Sequence, residues 1–209
     1  YPNLTCMEGD AVVMETALTP SGRGRTADFL NYYMVAFDQG DYRSFPRWLF
    51  GSQRYYTPNH YALGYMTLGG IRYLYDYPDI MHDAYDRASR ILYDPAPIKT
   101  FAVRKSEKKN FKQVFETVRD TMKGIWAAEI ETRAPFISSE PVTATPRLYT
   151  DYEDNISFGT DIYSVKKGFL TTPVLVRIDS TGQEHKVSRF ASQTSVLRTS
   201  ESQKRIYWS

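Results

Sequence analysis

Between Asn110 and Glu129, the residues Phe111, Val114, Phe115, Val118, Met122, Ile125 and Trp126 keep the i, i+3, i+4, i+7 spacing of one helix face without a miss. A strand alternates its side chains between two faces, so this segment demands a helix with an apolar surface to lie against. The pattern then changes. Residues 135–146 are rich in Pro, Ser, Thr and Ala, which predicts a linker or a wrapping loop. Beyond them RLYTDY, DIYSVKK, PVLVRID, EHKVSRF and KRIYWS have strand character. Segregated helical and strand segments predict an α+β fold: a mainly helical lobe over 1–134, a linker over 135–146 and a small antiparallel β unit over 147–209. One hairpin is specific, with VLVRI turning through Asp179, Ser180, Thr181 and Gly182 into HKV.

Several further helices are expected upstream. In LTCMEGDAVVMETAL, residues 4–18, Leu4, Ala11, Val12 and Leu18 share one helical face, on which Glu8 and Glu15 also fall. Pro20 and Gly22 end that segment, and Thr26 caps a second helix with the stripe Phe29, Leu30, Tyr33, Phe37, closed by Gly40. Residues 41–56, with Pro46, Trp48 and Gly51, show no period and read as a packed connection. Thr57 and Pro58 resemble an N-cap and first-turn pair for NHYALGYMTLGGIRYLYDY, which is apolar nearly all round and is the candidate central helix. Its Gly64, Gly69 and Gly70 permit close approach of neighbours. Pro78 starts another helix, with Ile80, Met81, Ala84, Tyr85, Ala88 and Leu92 inside, and ProAlaPro at 95–97 ends it.

Charge and cysteine usage exclude some function classes. The formal net charge is +2, and the densest basic cluster, Arg104, Lys105, Lys108, Lys109 and Lys112, reads as a solvated helix face, so no nucleic-acid partner is expected. Cys6 stands alone, which excludes an internal disulfide and any zinc-finger spacing. No transmembrane segment is evident. The chain begins at Tyr1 and enters a helix at once, so a fragment boundary is expected and the lack of a leader says nothing of a parent protein. The 17 tyrosines suit packing first, and glycan or peptide contact second.

A carboxylate on a largely apolar helix face is costly unless paired or bound to a metal. For Glu8 the ordinary account is an ion pair with Arg23 or Arg25. The string SGRGR, 21–25, lacks the ending of a phosphate loop and reads as a turn whose arginines meet nearby carboxylates. His82 and Asp86, four apart on a helix, read as a solvated ion pair rather than metal ligands.

PNLTCMEGDAVVMET, Pro2 to Thr16, resembles the segment of gluzincin metallopeptidases that reads roughly Pro-x-Trp-x-x-Glu-Gly-x-Ala-x-x-x-Glu, on the helix after HExxH. The resemblance implies that Glu8 matches the third zinc ligand. It also implies that Tyr61, with Gly64 in a downstream Tyr-x-x-Gly, matches the tyrosine whose hydroxyl helps stabilise the tetrahedral transition state. Leu4 or Thr5 stands where the family has an aromatic residue. No HExxH occurs, and His60, His82 and His185 are scattered. Either the zinc helix lies upstream in a full-length parent, which could then hold zinc, or the parent has lost it and is a non-catalytic relative; no zinc is expected in this chain, which should be inactive by itself.

DIYSVKKG, PVLVRIDSTGQE and KRIYWS resemble the start of a TolB-like β-propeller, with 147–209 as its first blade. Bacterial cell-envelope proteins joining a peptidase-like domain to such a propeller are similar in architecture. That resemblance implies a periplasmic or outer-membrane-associated location and a peptide or protein substrate, or an envelope protein partner. Beside it stands a different class of reading, a non-enzymatic module that binds protein or glycan.

Overall fold

The computed structural model describes residues 4–91, 97–106, 109–135, 137–144, 146–169, 171–189 and 196–208. Expectations for Pro2, Leu92, Pro95, Ala96, Lys108 and Phe190 lie outside them. The fold is α+β, with helices α1 (Leu4–Leu18), α2 (Ala27–Asp38), α3 (Phe45–Phe50), α4 (His60–Tyr75), α5 (Ile80–Arg90), α6 (Pro97–Lys105) and α7 (Phe111–Glu131) preceding six strands. Two compact units result, one of residues 1–51 and 57–136, the other of residues 52–56 and 137–209. No helix among the described residues is long and apolar enough to cross a membrane.

The helical unit is built around α4. Asn59, not Thr57, is its N-cap, accepting from the Ala62 amide at 3.2 Å. Asp76 ends it in the left-handed region. Eight of its residues are buried, from Ala62 to Ile71, because neighbours cover most of its circumference. Leu68 and Ile71 join Ile80, Met81 and Ala84 of α5, Ile98 and Ala102 of α6, and Val114 and Val118 of α7 in one core. Leu63 and Met66 join Leu30, Tyr33 and Phe37 of α2 and Trp48 of α3 in the other. The capping box of Asn110 and Gln113 opens α7, and Phe111 and Met122 touch both cores. One long helix thus supplies the apolar partner that both clusters need.

The first helix departs from its expected face. Leu4 is 58% and Leu18 79% exposed, and Ala11 is exposed too. The buried stripe is Thr5, Gly9, Val12 and Thr16, with Cys6 beside it. Gly9 of α1 lies on Gly64 of α4, so close that a Cβ on either would collide with the other's backbone. Small residues rather than large ones make this contact, and large-residue periodicity does not register it. The half-buried pair Asp10 and Arg72, 2.6 Å apart, ties the same two helices. Two further elements were unforeseen: α3, inside the expected connection, and α6, directly after the expected stop.

In the second unit, β1 (Thr150–Phe158), β2 (Asp161–Gly168), β3 (Thr171–Ile178) and β4 (Glu184–Arg189) form an antiparallel sheet in chain order, and β5 (Leu197–Ser200) pairs with β6 (Arg205–Trp208). The expected hairpin is present, with Val174 opposite Arg189 and Ile178 opposite Glu184. Its turn is held by Asp179, whose carboxylate accepts from the Thr181 hydroxyl at 2.6 Å and from the Thr181 and Gln183 amides. Gly182 supplies the positive φ that the turn requires. The sheet is apolar on both sides: Val165 and Leu175 pack with Leu197 of β5 on one, and Val174, Val176 and Ile178 cluster on the other.

Candidate functional site

The close packing of α1 on α4 brings Glu8 and Tyr61 together. Tyr61 is the second residue of α4, so the position of its phenol follows from the Asn59 cap and from the Gly9 and Gly64 contact three residues on. The Glu8 carboxylate of α1 stands close enough to the Tyr61 hydroxyl to raise the phenol above its ordinary pKa, through hydrogen-bonding attraction first, then the negative charge and a small desolvation, while the Arg23 guanidinium opposes them. Glu8→Ala is therefore expected to lower the Tyr61 pKa, read from the ring-carbon shifts of labelled tyrosine against pH. An unchanged titration would separate the two side chains.

Arg23 is the third member of the cluster. Its guanidinium lies over the Tyr61 ring, 5.4 Å from the centroid. It is held by Glu15 of α1: Nε donates to Oε2 at 2.8 Å, and the Arg23 amide donates to Oε1 at 3.2 Å. These two hydrogen bonds keep the Glu15 carboxyl below its usual range. The turn after α1 folds back so that the Gly24 amide donates to the Thr16 hydroxyl and Arg25 Nη2 donates to the Thr16 carbonyl. The imidazole of His60 lies against Tyr61, ring centroids 4.7 Å apart.

The structure thus reassigns the ion pair expected for Glu8. Among the described residues the carboxylate paired with Arg23 is Glu15, and Arg25 meets a carbonyl oxygen. Sequence reasoning named Arg23 but missed that it would cap the Tyr61 ring, and it missed His60 as a neighbour. The available signal was the eight-residue separation of Glu15 and Arg23 across the Pro20 and Gly22 turn.

Zinc requires about three protein ligands with a water or fourth ligand. The cluster offers one carboxylate and one phenol, with an imidazole tilted against the phenol ring. His82 is exposed on α5, where Asp86 pairs with Arg90 at 2.8 Å, and His185 pairs with Asp179 at 2.7 Å in the β unit. No group of three or more His, Cys, Asp or Glu side chains capable of holding a metal occurs among the described residues. Glu8, Tyr61 and His60 by themselves are fewer donors of the usual kind than a zinc site takes. What the arrangement can do chemically is place a carboxylate acceptor, a phenol of raised pKa and a guanidinium on one surface.

Compared with known proteins, the chain matches no family model, no curated protein and no solved structure.

Proposed function

We propose that this chain is the helical lobe following the zinc motif in a gluzincin-like metallopeptidase protein of the bacterial cell envelope, joined to the first blade of a β-propeller. The observation that carries the reading is the meeting of Glu8 and Tyr61 across α1 and α4. Those are the two positions that the family resemblance singles out, and they lie 53 residues apart in sequence. Their convergence follows from the Gly9 and Gly64 contact of α1 on α4, and it is what a shared role for the two side chains requires.

On this reading the chain is catalytically silent alone, since its sequence holds no HExxH to supply the remaining ligands and the general base. Histidine ligands and a general base would belong to another segment of the parent, and the substrate would be a peptide or protein. The four-stranded meander in chain order, apolar on both faces, is consistent with a blade that packs between layers.

The competing reading is a non-enzymatic module that binds an envelope protein or glycan. The exposed tyrosines of the helical unit, Tyr42, Tyr73 and Tyr85, supply the contact surface that it requires. The test is zinc content and peptide hydrolysis of the full-length protein, compared with its Glu8→Ala variant. Stoichiometric zinc and hydrolysis, both lost by about tenfold or more in the variant, support the peptidase. No zinc in either protein overturns it and leaves the module.

A further inference from the structure

A second feature of the helical unit lies between α3, α6 and α7 and owes nothing to the Glu8 cluster. A cavity of about 490 Å³ opens there. That is the size of pockets which take small organic ligands. Five cations line it, Arg43, Arg47, Lys99, Lys112 and Arg119, against one carboxylate, Glu116. Asp41 and Asp120, outside the lining, pair with Arg43 and Arg119, and Glu116 faces Lys112, so the surplus is two positive charges, those of Arg47 and Lys99.

The five cations differ in how they are held. Arg43 is only 7% exposed: it makes three contacts to the Asp41 carboxylate at 2.6 to 3.1 Å, donates to the Tyr32 hydroxyl, and stacks 3.9 Å from the Trp48 ring centroid. Arg119 pairs with Asp120 at 2.7 Å, and Lys112 stands 3.8 Å from Glu116. Arg47 and Lys99 are exposed and have no carboxylate partner among the described residues. The Lys99 ammonium lies 5.2 Å from the centroid of Phe111, which meets Phe45 edge to face at 5.3 Å.

Cations of one sign gathered round a concave, partly apolar wall repel one another and focus a positive potential into the space between them. An anion relieves that repulsion, and guanidinium and ammonium groups match the oxygens of phosphate or carboxylate. Arg43 is already fixed in place, which lowers the ordering cost of binding. Arg47 and Lys99 are long side chains from separate helices, free to close on a ligand. The Phe45 and Phe111 rings give its uncharged part a surface.

We propose that this cavity binds a small, multiply charged oxyanion ligand, with Arg47 and Lys99 as its principal contacts. The site is independent of the metallopeptidase reading and survives its failure. The oxyanions can be phosphoryl or carboxylate groups, and two probes distinguish them: calorimetric titration of the chain with inorganic pyrophosphate and, separately, with citrate, at about 0.1 M salt so that diffuse attraction is screened.

At least one probe is expected to bind once per chain. Its affinity should fall about tenfold or more in Arg47→Glu/Lys99→Glu, as expected when charge-assisted hydrogen bonds are lost. The milder Arg47→Gln/Lys99→Gln variant should weaken binding in the same direction without adding carboxylates. Arg104→Glu/Lys105→Glu makes the same charge change on α6 outside the cavity and should shift affinity by no more than about twofold. Binding of pyrophosphate alone assigns phosphoryl groups, and binding of citrate assigns carboxylates. Absence of binding by both probes, or equal loss in the cavity and control variants, overturns the proposal.

Discussion

Gly64→Ala should destabilise the helical unit by about 3 kcal/mol or more, the upper end of overpacking costs. A Cβ at Gly64 would lie 1.9 Å from the Thr5 carbonyl oxygen and 2.9 Å from the Gly9 Cα. These are backbone atoms of α1, which cannot rotate aside as a flexible side chain would. The two helices would have to separate, opening the contact that brings Glu8 to Tyr61. Gly69→Ala, five residues along the same helix, provides the contrast. The nearest atom to its Cβ would be Val13 Cγ2 at 3.8 Å, ordinary contact, so alanine there should gain up to about 1 kcal/mol of helix propensity. Urea unfolding followed by far-ultraviolet circular dichroism measures both. Equal effects at the two positions would mean that the backbones of α1 and α4 do not meet as described.

Trp48→Ala should cost about 3–5 kcal/mol, the range for deleting a large buried aromatic ring. Trp48 is 0% exposed and sits against Tyr33 at 4.9 Å, Tyr32 at 6.2 Å and Phe37 at 6.2 Å between ring centroids. It also forms the face on which the Arg43 guanidinium rests. The cavity left behind has aromatic walls from α2 that cannot collapse into it without moving that helix. Phe50, on the same short helix but 82% exposed, is the control, and Phe50→Ala should change stability by less than about 0.5 kcal/mol. Chemical unfolding that shows the two variants alike would contradict the placement of α3.

Legibility in the sequence followed the kind of contact each element makes. The stripe of α7 and the all-round apolarity of α4 could be read directly, because large apolar side chains at helical spacing are what those helices bury. The β3 and β4 hairpin could be read because Asp179, Thr181 and Gly182 are residues that a tight turn needs on local grounds. The start of α4 lies two residues beyond the expected one, since Thr57, Pro58 and Asn59 all suit a helix entrance and only the folded chain shows that the Asn59 side-chain oxygen Oδ1 accepts the Ala62 amide. Segment α6 carries Lys99, Arg104 and Lys105, and the buried side chains described in it, Ile98 and Ala102, are too few to stand out as a period.

Glu8 and Tyr61 could be named from local motifs, but no local property joins them. The sequence by itself determined the α+β class, the long helices, the turn chemistry and the identities of these two side chains, all of which depend on residues within a few positions of one another. Tertiary structure decided which face of α1 is buried, that Glu15 rather than Glu8 holds Arg23, and that Arg47, Lys99 and Arg119 surround one cavity. Each of these depends on how closely two backbones approach. At Gly9 and Gly64 that distance is set by the absence of side chains, which a pattern of hydrophobic residues does not record.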